Sequence, residues 1–371
     1  MSEADALVIG GGLAGSMVAL ELARGARQVL LLEKTKSAHH KVCGEFLSGE
    51  TLHYLHRHGI DLQAMGAVAL QSVRLVMRGG IVEQPLPFPA FSLTRCVLDE
   101  ALLQRAAAAG VEVRRGRTVE ALEHRDASWC VDLRGGDRAH SQHVFLATGK
   151  HDVRGWPRAA GTHRGLVAFK MYYRLAPQQL AALGGAVELM LFPGGYAGLQ
   201  QVEGGRVNLC LLMTASCLKR VGGNWAQVES YLQEQVAHLQ TRLGGATALL
   251  EAPLAVSHIP YGHMQHSAPR GLWHLGDQAA VIPSFCGDGM AIALHSGAWA
   301  ARHFLRGESP EIYRRQLHAH MRLRLSFATR LSQAMVALPG AVEIVRLVPG
   351  LLSGIARITR IPDAALVRDM A

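Results

Sequence analysis

Asp5-Ala-Leu-Val-Ile-Gly-Gly-Gly-Leu-Ala-Gly-Ser16, followed after a helix-length stretch by Val29-Leu-Leu-Leu-Glu33, decides how this chain is read. The apolar run Ala6 to Ile9 predicts a buried strand. Gly10, Gly12 and Gly15 take the G-x-G-x-x-G spacing, and Ser16 to Ala23 predicts a helix. Val29 to Leu32 predicts a second strand that ends on Glu33. Each position has a physical reason. Gly10 permits a tight turn, Gly12 lets backbone approach a pyrophosphate, and Gly15 lets the helix pack closely on the strand. Leu13 and Ala14 lie inside the loop, where free N–H groups and the positive end of the helix dipole face an anion. The Glu33 carboxylate can accept from the 2′-OH and 3′-OH of an adenosine ribose and would repel a 2′-phosphate; Lys34 follows it. A glycine loop alone could be an ordinary turn, but here strand, glycines, helix, strand and acid come in the required order.

At 371 residues the chain suits two closely packed domains, and 49% hydrophobic against 18% charged residues excludes disorder. Its six cysteines show no C-x-x-C or zinc-like spacing, so they are expected to be reduced thiols of a cytoplasmic protein, with no metal site. His53, His56 and His58 lack the H-E-x-x-H pattern and are expected on a solvated helix face. With no basic-then-apolar stretch before the first strand, a signal peptide is not expected, and no uncharged run reaches the roughly 18 residues of a membrane span. The formal charge of +9 is scattered, without a nucleic-acid motif, and fits anionic cofactors or an anionic lipid surface.

Further along, Gly49 to Gly59 predicts a helix and Arg78-Gly-Gly80 a hairpin between Val73–Met77 and Ile81–Gln84. Leu93 to Asp99 opens an Ala/Leu-rich helix that ends at Gly110. Short strands are expected at Val111–Arg114, Thr118–His124, Ser128–Leu133 and Arg138–Leu146, the last running into Ala147-Thr-Gly149. From Gly165 the pattern becomes that of a second, antiparallel sheet: Leu166–Leu175, Val187–Pro193, Tyr196–Val202 and Arg206–Thr214. One helix over Trp225–Leu243, a strand ending at Gly276-Asp277, an apolar helix over Ala291–Leu305 and a mostly helical remainder complete the reading.

These motifs together resemble the flavoprotein family that includes aromatic hydroxylases of the p-hydroxybenzoate hydroxylase fold, flavin-dependent halogenases and geranylgeranyl reductases. The resemblance spans residues 4 to 310. It implies an α/β architecture: a Rossmann-like FAD-binding domain, an antiparallel β-sheet substrate domain and C-terminal helices. The FAD-binding domain is expected at 1–72, 92–158 and 262–310, the substrate domain at 73–91 and 159–261, and the helical segment at 311–371. By the resemblance, Arg95 and Gly149 lie beside the flavin dinucleotide, Asp277 after Gly276 binds the ribityl chain, and Gly287, Gly289 and Met290 present N–H groups to the flavin pyrimidine. An early glycine loop paired with a late Gly-Asp argues for FAD as the tightly held cofactor. Lys41-Val-Cys43-Gly44 is most similar to the geranylgeranyl reductase branch, where this segment passes near the isoalloxazine. The hydroxylases' mid-chain Asp-Gly motif is replaced by Ala147-Thr-Gly-Lys-His-Asp-Val-Arg-Gly155, which weakens the case for direct nicotinamide handling, although NAD(P)H remains a candidate reductant. The halogenases' Trp-x-Trp-x-Ile-Pro is absent, which argues against halogenation.

The expected substrate is an apolar small molecule in a pocket lined by Phe169, Met171, Met190, Phe192, Tyr196 and Leu211. Hydroxylation of an aromatic or polyketide-like molecule ranks first. Reduction or dehydrogenation of a carbon–carbon bond in an isoprenoid or lipid-like molecule ranks second, and a non-enzymatic flavoprotein last. Cys43, in a loop with Lys41, is the candidate catalytic proton donor or acceptor for the second reading, since a thiol beside a cation exchanges its proton more readily. Residues 341–360 alternate apolar turns with Arg346, Arg357 and Arg360 and are expected to cap the substrate domain, with peripheral contact to anionic membrane as the alternative. The sequence leaves the oligomeric state open.

Overall fold

The glycine-loop unit forms as its pattern requires, with β1 (Ala6–Ile9) and β2 (Val29–Glu33) buried along their whole length and α1 (Leu13–Arg24) between them. The helix starts three residues earlier than expected because the loop supplies its first turn, with Ser16 N donating to Gly12 O at 2.8 Å. The computed structural model describes residues 4–77, 80–163, 165–267, 269–337 and 350–367. Next come β3 (Phe46–Leu47), α2 (Gly49–Arg57), the hairpin β4 (Val68–Met77) and β5 (Gly80–Ser92), then α3 (Arg95–Ala108) and β6 (Glu112–Arg115). The helix α2 is not the solvated face expected of its histidines. His58, just past its end, is buried against Glu21 at 3.0 Å, His53 donates to Val367 O at 2.8 Å, and His56 is exposed.

A meander of β7 (Val119–Arg125), β8 (Ser128–Leu133) and β9 (Arg138–Ser141) leads to β10 (Val144–Leu146). The single strand expected over Arg138–Leu146 is therefore two. The chain leaves the meander after Ser141 and enters the other sheet at Val144, a change of partner that one straight strand cannot make. The second sheet follows with β11 (Leu166–Arg174), α4 (Pro177–Leu183), β12 (Ala186–Phe192), β13 (Gly195–Gln201) and β14 (Val207–Thr214). Then come α5 (Ala215–Arg220), α6 (Trp225–Gln235), α7 (Ala237–Leu243), β15 (Thr247–Ala248) and β16 (Leu254–Ser257). The expected helix over Trp225–Leu243 breaks at Val236 (φ −131°, ψ 85°), which lets Val228 and Leu232 of α6 and Leu239 and Leu243 of α7 all reach one apolar face. The chain closes with β17 (Leu272–His274), α8 (Gly289–Leu305), α9 (Pro310–Ala337) and α10 (Leu351–Ile358).

Five strands form a parallel sheet in the order β6-β2-β1-β10-β17. This is a Rossmann-like order, and it puts the ligand crevice outside the carboxyl ends of the strands, where the order reverses at β1 and β10. The other large sheet runs β15-β11-β14-β13-β12-β4-β5-β3, with β16 also on β11. It is antiparallel except where β12 lies parallel to β4, because the hairpin β4–β5 is supplied from the N-terminal half of the chain.

Strand alternation divides this sheet into two faces. Phe169, Met171, Met190, Phe192 and Leu211 pack under α5 to α7, with Phe169 near Trp225 and Phe192 edge-on to Tyr231. The expected pocket lining is thus corrected: of the six residues only Tyr196 lies on the opposite face. Period-two alternation with apolar residues at both parities hid which parity faces inward. The inner face carries Ala168, Lys170 and Tyr172 of β11, Asn208 and Leu212 of β14, and Leu189 and Leu191 of β12.

Of the C-terminal segment, 341–349 lies outside the described residues; α10 packs on β5, Ser353 donating to Gln84 Oε1 and Pro85 O at 3.4 and 3.3 Å. All six cysteines are free. No helix among the described residues is long and apolar enough to cross a membrane.

Candidate functional site

The glycine loop is shaped by contacts that forbid side chains. A Cβ on Gly15 would lie 1.9 Å from Gly10 O, and Gly10 itself has φ +104° with Ala147 O 2.5 Å from where its Cβ would be. The first turn of α1 has neither a side-chain cap nor an acid, which leaves its N–H groups for an anion. Around Gly12, Lys41 Nζ and Arg95 Nη2 stand 3.4 and 3.6 Å from where a Cβ would be. Asp99 aligns both, accepting from Lys41 Nζ at 2.7 Å and from Arg95 Nε and Nη2 at 2.6 and 2.9 Å. Burial works against the Asp99 carboxylate, but Arg95 and Lys41 outweigh it and hold its pKa below the usual range. Burial likewise opposes the Arg95 charge, and Asp99 and then Cys43 raise its pKa nonetheless. Lys41 and Arg95 thus present two cations to Gly12, held in place by the one carboxylate between them.

Glu33 is buried at the tip of β2. Its Oε2 accepts from Gly11 N at 2.7 Å and its Oε1 from Thr35 N and Oγ1 at 2.8 and 2.7 Å. Burial raises its pKa, yet the bonds from Thr35 and Gly11 and the charge of Lys41 bring it below the ordinary value, so the carboxylate stays ionised. Lys34 beside it is exposed.

The late motif meets the early one. Gly276 packs against Ala14 and Ala293, Gly297 against Ala14 and Met17, and Gly25 against Leu305, so α1 and α8 run parallel and bring their N-terminal ends to the same edge of the sheet. Gly276 N donates to Ser296 Oγ at 2.8 Å, and Asp277, half-buried, follows it. Gly149 O accepts from Gln278 at 2.9 Å, which joins the end of β10 to the same turn. Gly287 (φ +74°) presses on the Phe46 ring, Gly289 opens α8, and the Met290 side chain enters the core.

Between the sheets, the Cys43 loop is fixed by a buried network that the sequence reading missed. Lys170 and Glu45 side chains are both fully buried and pair at 2.6 Å. Tyr172 Oη donates to both Glu45 oxygens at 2.8 and 2.9 Å, and Arg95 N to Glu45 Oε1 at 2.8 Å. Lys170 Nζ also donates to Lys41 O at 3.1 Å, and Asn208 Nδ2 to the carbonyls of Cys43 and Gly44 at 3.0 Å each. Cys43 Sγ accepts from Glu45 N at 3.3 Å. The available signal was a lysine and an asparagine inside otherwise apolar strands, where an unpaired polar group would be costly. Beside this loop the inner face is apolar: Leu75, Leu191 and Leu212 face Val42, Phe285 and Met335 in one cluster, and Tyr196 Oη reaches Ser284 Oγ at 2.9 Å.

The residues fit a flavin dinucleotide. A loop closed to side chains, uncapped N–H groups, paired cations and an ionised acid at the second strand suit a pyrophosphate and a ribose, and the nearby N-terminus of α8 suits an electron-rich ring edge. Residues 3–145 match the family model described as FAD binding domain. The menaquinone reductase of Mycolicibacterium smegmatis is 25% identical over 366 residues, covering 92% of this chain and 87% of that protein. Protein FixC of Escherichia coli is 26% identical over 314 residues, 78% of this chain and 69% of that protein. Among solved structures, the flavin-dependent brominase Bmp2 superposes with a TM-score of 0.79 at 16% identity, covering 96% of this chain and 93% of that one.

Proposed function

We propose that this chain, an FAD-dependent oxidoreductase, reduces a carbon–carbon double bond of an apolar, polyprenyl-like small molecule held against the inner face of the second sheet. The observation that carries the proposal is the apolar cluster of Leu75, Leu191, Leu212, Val42, Phe285 and Met335 adjoining the fixed Cys43 loop. Two supports place reduction ahead of the hydroxylation first expected. A relative aligned along almost the whole chain bears the name menaquinone reductase, and Lys41-Val-Cys43-Gly44 resembles the geranylgeranyl reductase segment.

In this reading the loop N–H groups from Gly12 to Gly15, with Lys41 and Arg95, hold the pyrophosphate. Glu33 holds the ribose and Asp277 the ribityl chain. Bound FAD supplies the two-electron chemistry. The free N–H groups at the start of α8, at Gly289 and Met290, and the helix dipole would face the pyrimidine edge and favour negative charge there, and Cys43 Sγ would deliver a proton to the substrate carbon. NAD(P)H is the proposed source of electrons in the cell.

The test is the mass change of a menaquinone with an unsaturated prenyl chain, incubated anaerobically with dithionite-reduced holoprotein. Gain of two hydrogens on the chain is expected. Gain of one oxygen in air, with matching oxygen uptake and no anaerobic product, would return hydroxylation to first place.

Cys43→Ser and Cys43→Ala should keep FAD and lose about a hundredfold or more in turnover, the usual scale of a missing general acid. Near-full turnover in both would remove the thiol from the mechanism.

A further inference from the structure

The last described stretch, residues 350–367, runs from the second sheet back to the first domain, and one side chain ties it to the flavin-facing loop. Arg360 Nη1 lies 2.5 Å from Asp288 Oδ1 and Nη2 donates to Cys286 O at 2.6 Å, across 74 residues of sequence. The guanidinium carbon stands 4.5 Å from the centre of the Phe88 ring and 5.7 Å from that of Phe46, the ring on which Gly287 packs. Asp288 is the N-cap of α8 and is 1% exposed. Burial pushes its carboxyl up to about 7 and Glu50 adds to the rise, against the pull of Arg360, the Thr359 hydroxyl and Arg324.

The strap is pinned on both sides of this contact. Before it, Leu351 and Leu352 pack on the apolar inner cluster. At Arg360 itself, Arg324 Nε donates to the carbonyl at 2.5 Å. After it, Ile361 and Val367 enter the main core, and Arg57 and His53 donate to Val367 O at 2.9 and 2.8 Å.

We propose that Arg360 is a positioning residue for the redox site: it clamps the 350–367 strap onto Cys286–Asp288, and so fixes both the loop that leads into α8 and the packing of Leu351 and Leu352 on the apolar inner cluster. The physical reason is cumulative. A planar guanidinium sets its charge beside a carboxylate, donates to a carbonyl and lies over two rings at once, which an ammonium cannot do. Without it, Asp288 loses its main counter-charge and is driven to take up a proton, the contact that holds the strap is gone, and the loop has cause to move. The part concerning the cofactor rests on the reading that Gly287 to Met290 face the flavin; the clamp itself does not.

The experiment therefore has two arms, with Arg360→Ala, Arg360→Lys and Phe88→Ala compared with the parent chain. In the apoprotein, amide hydrogen exchange in 350–360 and 285–289 is expected to speed up at least tenfold in Arg360→Ala, less in Arg360→Lys and Phe88→Ala, while β1 and α1 stay unchanged. Exchange in the strap equal to the parent's would overturn the clamp. In the FAD-loaded protein, Arg360→Ala is expected to shift the flavin midpoint potential to more negative values, alter the flavin absorption envelope and raise KM more than it lowers kcat, with partial recovery in Arg360→Lys. A freed strap with unchanged potential, spectrum and KM would overturn the positioning role. A parent chain that takes up no FAD would sink the flavin reading and with it the cofactor half of the proposal, and the exchange arm would still decide the clamp. If Arg360→Ala does not fold, Phe88→Ala and Arg360→Lys give the same readouts.

Discussion

Replacing Lys170 with Met should cost about 3–5 kcal/mol of unfolding free energy, the scale expected when one partner of a buried ion pair is removed. Lys170 and Glu45 have no exposed side-chain surface, and the carboxylate would keep only the Tyr172 hydroxyl, the Asn208 amide and the Arg95 N–H. Burial already raises the Glu45 pKa above its ordinary value despite Lys170. Loss of the cation raises it further, so the variant can relieve the strain by taking up a proton. The sign follows from linkage. A carboxyl whose folded pKa exceeds its unfolded one adds stability below the unfolded pKa and loses it as pH rises through the folded pKa. The deficit of Lys170→Met should thus be largest at neutral and alkaline pH and shrink towards pH 4, where Glu45 is protonated in both states. Lys170→Met with Glu45→Gln should recover most of it, because no buried charge remains. Urea unfolding across pH 4–8 checks all three. A pH-independent loss under 1 kcal/mol would mean that the pair carries no such weight.

Glu33→Arg should abolish stable FAD binding, raising Kd by a hundredfold or more. The substitution removes the acceptor proposed for the ribose hydroxyls and puts a cation there. It also deletes three bonds that shape the loop, from Gly11 N, Thr35 N and Thr35 Oγ1. Glu33→Gln keeps one acceptor oxygen and should lose less. Purified Glu33→Arg that remains yellow, with an FAD affinity equal to the parent's, would remove Glu33 from the cofactor site.

What the sequence made legible depended on whether a feature is set by neighbours or by distant partners. The strands β1 and β2 were readable almost to the residue and α1 to within its first turn, because a turn under a phosphate admits few side chains and leaves a distinctive spacing. Helix α8 was readable as one apolar run after Gly-Asp-Gly. The inner face of β11 was not: Phe169 and Met171 are as apolar as any pocket wall, and only the helices α5 to α7 reveal that they face away. The parallel pairing of β12 with β4 joins strands more than a hundred residues apart, which turn chemistry cannot announce. Glu45, Lys170 and Asn208 looked like isolated polar residues until folding brought them together. Arg360 was read as part of a basic alternating helix, whereas its partners lie in the glycine loop before α8 and on the rings of Phe46 and Phe88.

The strand order β6-β2-β1-β10-β17 also bears on how the chain is made. As the chain leaves the ribosome, β1 and β2 emerge well ahead of their partners: β10 comes more than a hundred residues later and β17 only at residue 272. The apolar side of α1, with Met17 and Ala14, waits longer still for Gly297 of α8 to cover it. The second sheet, whose β11 to β14 are contiguous, can form while the nucleotide-binding sheet is still missing an edge. Completion therefore runs against synthesis: the β1–α1–β2 unit is made before its partners yet is among the last to be covered, and until then its exposed apolar surface is a target for chaperones.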